Sequence, residues 1–66
     1  MIPLFSAVEV RSARYLEIGV APGTIGYVIE DYGDGHDEVE VTRPDGTAVA
    51  LFSAPESDLE PVAPPA

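Results

Sequence analysis

The sequence predicts an all-β fold, a small barrel of about five short strands, and three of its features lead there. The first is Val20-Ala21-Pro22-Gly23-Thr24-Ile25-Gly26-Tyr27-Val28-Ile29. Glycine takes positive φ without steric cost, so Gly23 and Gly26 describe a tight bulged turn feeding an apolar strand. The second is alternation of apolar and polar residues, seen from Leu4 to Arg11 and again in Val39-Glu40-Val41. The third is Pro44-Asp45-Gly46 between two such runs. Proline presets φ at the first turn position and glycine accepts the left-handed conformation, which makes a hairpin.

Taken in order, the first strand is expected from Leu4 to Arg11, with Leu4, Ser6, Val8 and Val10 on one face and Phe5, Ala7, Glu9 and Arg11 on the other. Periodicity fails from Ser12 to Pro22, where Tyr15, Leu16, Ile18 and Val20 are apolar anchors of a long loop. A long connection at this point matches the first loop of SH3-like barrels. The second strand should run from Ile25 to Tyr32, rich in β-branched and aromatic residues, and stop at Asp31-Tyr32-Gly33-Asp34-Gly35. The third, Glu38 to Arg43, sets Val39 and Val41 against Glu38, Glu40 and Thr42, and the fourth returns from Thr47 to Phe52. Ser53 to Asp58 has room for one short 3₁₀ turn before a last strand over Leu59 to Val62. The fold class is therefore a five-stranded SH3-like barrel with a long first loop and a short 3₁₀ turn before its last strand. Residues 1–62 make one domain, and 63–66 a flexible proline-rich tail.

Sixty-six residues bury only about 60 % of the surface the unfolded chain exposes, so the core must be small. With no cysteine, neither disulfides nor thiolate metal sites are available. The opening Met1-Ile2-Pro3-Leu4-Phe5-Ser6 lacks the basic and apolar regions of a signal peptide, and no stretch suits a membrane span. The expected compartment is cytoplasmic. Twelve acidic residues against three arginines give a formal charge of −9. Phosphate binding depends on Lys and Arg, so nucleic acid and anionic membranes are excluded as partners, whereas a basic protein is attracted.

Half of the acids, namely Glu30, Asp31, Asp34, Asp37, Glu38 and Glu40, lie around the single histidine, His36. Calcium needs several oxygen ligands at once, but Gly33 and Gly35 stand where an EF-hand loop beginning at Asp31 would place ligands. A lone Gly33-Asp34-Gly35-His36-Asp37 turn also has no second copy with which to stack as a calcium-binding β-roll. His36 has no second histidine, cysteine or nearby nucleophile to make a zinc or catalytic site. The expectation is no metal, no cofactor and no catalytic residue. The acids and Tyr32 form a partner-binding surface instead. Among the aromatics, Tyr15 and Tyr32 lie beside loops and are the two expected at the surface.

Val8-x-Val10, Gly23-Thr24-Ile25-Gly26-Tyr27-Val28-Ile29, Asp37-Glu38-Val39-Glu40-Val41, Pro44-Asp45-Gly46-Thr47 and Asp58-Leu59-Glu60-Pro61 together resemble a small bacterial DUF family of SH3-like barrel proteins. That family shares a G-x-x-G-x-V-V turn, a Y-E-V-E-F-like strand, a D-G-x-T hairpin and a D-L-x-P ending. The chain departs from it at Val39 and Val41 and in having no lysine. The family is often encoded beside toxin genes, so the resemblance implies a non-catalytic antitoxin or immunity-type protein that neutralises a basic toxin. The alternative expectation is a structural or accessory subunit that packs against a larger enzyme, or a homo-oligomer joined through open strand edges.

Overall fold

The computed structural model describes residues 2–63. Five antiparallel strands form one sheet: β1 Ala7–Val10, β2 Ile25–Asp31, β3 His36–Thr42, β4 Ala48–Pro55 and β5 Leu59–Pro61. Two 3₁₀ segments join them, η1 Ala13–Ile18 between β1 and β2, and η2 Glu56–Asp58 between β4 and β5. The strand order is β4-β3-β2-β1-β5. The predicted all-β class, strand number and short 3₁₀ turn before the last strand are all found. The expected tail begins at Ala63, and residues 64–66 of it lie outside the described residues.

This order forces the sheet to curl. Laid flat, its edge strands β4 and β5 would stand about 19 Å apart, four inter-strand gaps. Yet they are consecutive in sequence, and the four chain steps from Pro55 to Leu59 span at most about 14 Å. The sheet must therefore bend until its two ends meet at η2, which encloses a core on the concave side. Val8, Val10, Val20, Val28 and Val39 are fully buried there, with Ile2, Tyr15, Val41, Phe52, Ala54 and Leu59 around them. β-Branched valines serve both needs of such a sheet, since they favour extended backbone and are small enough to fill a narrow interior.

Several local expectations need correction. The first strand begins at Ala7, because Leu4 and Phe5 form a turn closed by Ser6 N–H donating to the Pro3 carbonyl, and Phe5 takes a left-handed φ of 65°. Leu4 and Phe5 are consequently exposed. The long first loop contains η1, whose Ser12 side chain accepts from the Arg14 N–H and whose Gly19 ends it at φ 86°. Its six residues turn Tyr15 inward and leave Leu16 and Ile18 outside, so only Tyr15 and Val20 of the four anchors are buried.

Tyr15 is thus a core residue and not the surface contact expected of it. Its ring stacks at a tilt on Phe52, centroids 4.6 Å apart, and its hydroxyl donates to Asp58 Oδ2 at 2.6 Å. The same carboxylate accepts from Arg14 Nε at 3.1 Å. Burial, then the Asp58 hydrogen bond, push the Tyr15 phenol up to about 12. Gly23 and Gly26 serve different purposes. Gly23 takes φ 95° in the turn, whereas Gly26 lies within β2, where a Cβ would meet Val39 Cγ1 at 2.8 Å and the Glu40 carbonyl oxygen at 3.0 Å. The register shift of β2 falls later, between Val28 and Glu30.

Gly26→Ala should lower unfolding stability by about 1–3 kcal/mol, as overpacking of a filled interior does, measured by urea denaturation. Tyr15→Phe keeps the ring stack but removes a donor from a buried carboxylate, and should cost about 1.5–3 kcal/mol. A loss below a few tenths in the same assay would show that Arg14 alone satisfies Asp58.

Candidate functional site

The β2–β3 hairpin carries the acidic run, and strand alternation divides it between two faces. Along β3, Asp37, Val39 and Val41 are buried on the concave side, while Glu38, Glu40 and Thr42 point outward. On β2 the bulge at Ile29 resets the alternation. Val28 pairs with Val39, but Glu30 pairs with Glu38 and Asp31 with Asp37. Glu30 is therefore outward and Asp31 inward, the reverse of what uninterrupted alternation from Val28 would give.

On the outer face, Glu30 and Glu38 stand directly opposite each other, an unfavourable like-charge pair. Glu40 follows on the same face, in a cross-strand row with Tyr27 on β2 and Leu51 on β4. Tyr27 is 37 % and Leu51 56 % exposed, so apolar surface flanks the acids. Tyr32, 51 % exposed, donates its hydroxyl to Glu38 Oε1 at 2.8 Å. That hydrogen bond, before burial and the charges of Glu38 and Glu30, raises the phenol's pKa. The arginines are engaged elsewhere: Arg11 lies 4.0 Å from Glu9, Arg14 pairs with Asp58, and Arg43 reaches Thr47 Oγ1 across the β3–β4 turn.

The hairpin tip is built by its acids acting on backbone. Asp31 Oδ1 accepts from Gly33 N–H at 2.8 Å and Asp34 Oδ1 from His36 N–H at 3.0 Å, while Gly33 and Gly35 take φ of 77° and 89°. Such Asx turns explain the composition of the tip without a ligand. His36 Nδ1 lies 3.3 Å from Asp34 Oδ1, and both side chains face solvent.

Of the seven residues expected to form one partner-binding surface, Glu30, Tyr32, Glu38 and Glu40 share the outer face and Asp34 sits at its end. Asp37 does not belong to it. Its relative exposure is 0 %, and it joins Asp31 and Glu56 in a second, inner cluster in which one carboxylate oxygen from each residue lies within 4.8 Å of the others. Glu56 was not anticipated, because it reaches the hairpin only through the curl of the sheet, tied there by its N–H donating to the Gly35 carbonyl. Tyr27 and Leu51 were missed as well. Their alternation with buried neighbours was legible, but the side of the sheet they face was not.

Neither Asp37 oxygen has a hydrogen-bond partner. Two ionised carboxylates hold no donor between them, whereas a proton on Asp37 turns the Glu56 contact into a hydrogen bond. Burial first, then this bond and the charge of Glu56, then Asp31, raise the Asp37 pKa from 3.8 to about 6, against a lowering by the positive amino terminus.

Comparison with protein-family models, with curated proteins and with solved structures gives no match. No helix among the described residues is long and apolar enough to cross a membrane.

A native pKa above the unfolded one means that the folded state holds the extra proton. The resulting stability is present in full below 3.8 and is lost as pH rises to about 6. In buffer free of divalent cations, melting temperature should therefore fall across that interval. Asp37→Asn should flatten the fall and gain about 1–3 kcal/mol at neutral pH. A variant that melts lower than the parent at neutral pH would show that the ionised form is well compensated.

Proposed function

We propose that this protein is a non-catalytic binding module of SH3-like type, which engages a basic protein partner through the outer face of β2, β3 and β4. The observation that carries this reading is the Glu30–Glu38 pair with Glu40 beside it, three carboxylates on one face with the chain's arginines engaged elsewhere. A like-charge cross-strand pair opposes folding. It becomes favourable when cations from a partner sit over it, and Tyr27, Tyr32 and Leu51 supply apolar contact around those charges. The long β1–β2 connection and the 3₁₀ turn before β5 support the SH3-like assignment. The resemblance to a DUF family encoded beside toxins supports an antitoxin or immunity role, in which the acids occupy a basic groove that would otherwise take phosphate.

A second reading, an accessory subunit or self-associating module, is favoured by the exposed apolar side chains Leu4 and Phe5, before β1, and Leu16 and Ile18, in η1. The two differ in salt response. With the chain as bait in lysate of its native cell, the first reading expects one basic protein captured at low salt and shed at high salt. Glu30→Gln/Glu38→Gln/Glu40→Gln should then slow association with that protein about tenfold or more, with a smaller change in dissociation. A large complex retained at both salts, and unaffected by the triple variant, would establish the accessory reading instead.

A further inference from the structure

The inner carboxylates present a different chemistry from the outer ridge. Asp31 closes β2, Asp37 opens β3 and Glu56 begins η2, so the cluster joins three elements at the hairpin end of the curled sheet. An acidic cluster alone says little, since exposed acids gather wherever a chain is strongly anionic. Asp37 distinguishes this one. It is fully buried, its two oxygens have no hydrogen-bond partner, and one of them lies within 4.8 Å of an oxygen of each of two further carboxylates. Nearby backbone donors are used by its neighbours: Gly33 N–H bonds Asp31, and Ile2 N–H bonds Glu56 Oε2 at 3.4 Å. A buried carboxylate is retained when something compensates its charge.

We propose that Asp31, Asp37 and Glu56 form a binding site for a single divalent cation of calcium type. The donor set is all oxygen, which selects hard cations over zinc or copper. Three oxygens that all lie within 4.8 Å of one another can each touch one calcium ion, whose bonds of 2.3–2.6 Å allow ligand separations up to about 5.2 Å. Calcium also accepts water and carbonyl oxygens to complete six to eight ligands in irregular geometry, which a three-carboxylate site requires. With only three charged ligands, the affinity belongs to the weak range of about 10⁻⁴–10⁻³ M. Bound there, the ion would fasten the hairpin to η2 and hold together the two ends of the sheet. The site is independent of the outer binding face.

The test is thermal unfolding of the whole chain, titrated with calcium chloride against potassium chloride at matched ionic strength. Calcium should raise the melting temperature saturably, by roughly 10 °C at ten times the dissociation constant. The rise should vanish in Asp37→Asn and persist in Glu60→Gln, an exposed acid on β5. Manganese added to the unaltered chain gives a second readout that needs no variant. Paramagnetic broadening should centre on the amides of Asp31, Asp37 and Glu56. If a shared proton or the amino terminus neutralises the cluster, calcium will act no differently from potassium, and the proposal fails. Broadening centred on Glu30, Glu38 and Glu40 would overturn it equally, by placing the cation on the outer ridge.

Discussion

The three residues of η2 are the constraint on which the rest of this structure depends. They join the two edge strands of the sheet, and so turn a five-stranded ribbon into a body with an inside. Each end of the turn is fixed. Glu56 N–H donates to the Gly35 carbonyl at the hairpin tip, and the Asp58 carbonyl accepts from Arg11 N–H beyond β1. The Asp58 side chain then gathers Tyr15 and Arg14 from η1. One short segment therefore ties the hairpin, the first strand and the long loop together, although it adjoins none of them in sequence. With a core whose fully buried apolar side chains are five valines and one alanine, such polar ties help to fix which of several similar packings the chain adopts.

The acidic run is sorted by a second constraint, the bulge at Ile29. On β3 the period of two puts Asp37 inside and Glu38 and Glu40 outside. On β2 the same rule, carried from Val28 without interruption, would bury Glu30 and expose Asp31. The extra residue reverses both. It stacks Glu30 against Glu38 on the surface and turns Asp31 toward Asp37 in the interior. A single inserted residue thus creates two negative sites of different character, one solvated and flanked by tyrosines, the other enclosed and joined by Glu56.

What could be read from the sequence follows from the range of the forces involved. The β3–β4 turn was legible because it is local: Pro44, Asp45 and Gly46 each act within a residue or two, and Gly46 indeed takes φ 88° while Asp45 accepts from Thr47. Strand identity was legible from alternation, with boundaries displaced by two or three residues where a turn or pairing partner decided them, as at Leu4 and His36. The η1 segment was not, since its side chains have no clear period, and only the docked fold shows Tyr15 as the inward one. The inner cluster was least accessible. Spacing within the hairpin argued against a metal loop, and rightly counted the glycines, but the third carboxylate arrives from Glu56 through the curl of the sheet. Burial of Asp37 likewise contradicts its residue type, because aspartate seldom goes fully inside.

That contradiction bears on what the acids are for. A 66-residue domain has a thin margin of stability, and both acidic sites oppose folding, one by cross-strand repulsion and the other by burying the Asp37 carboxylate, whose oxygens have no hydrogen-bond partner. Neither arrangement is needed to make the sheet. Threonine at position 38, or asparagine at position 37, would satisfy the same strand geometry without the electrostatic cost. Residues that lower stability in the isolated chain become favourable once a counter-charge is supplied from outside, and the two sites call for different ones. On the proposed reading, the open outer ridge is covered by the basic face of a protein. The inner cluster, with one oxygen of each carboxylate within 4.8 Å of the others, suits something small, a proton or a single ion. The bulge that separates them lets the chain answer both without one competing with the other.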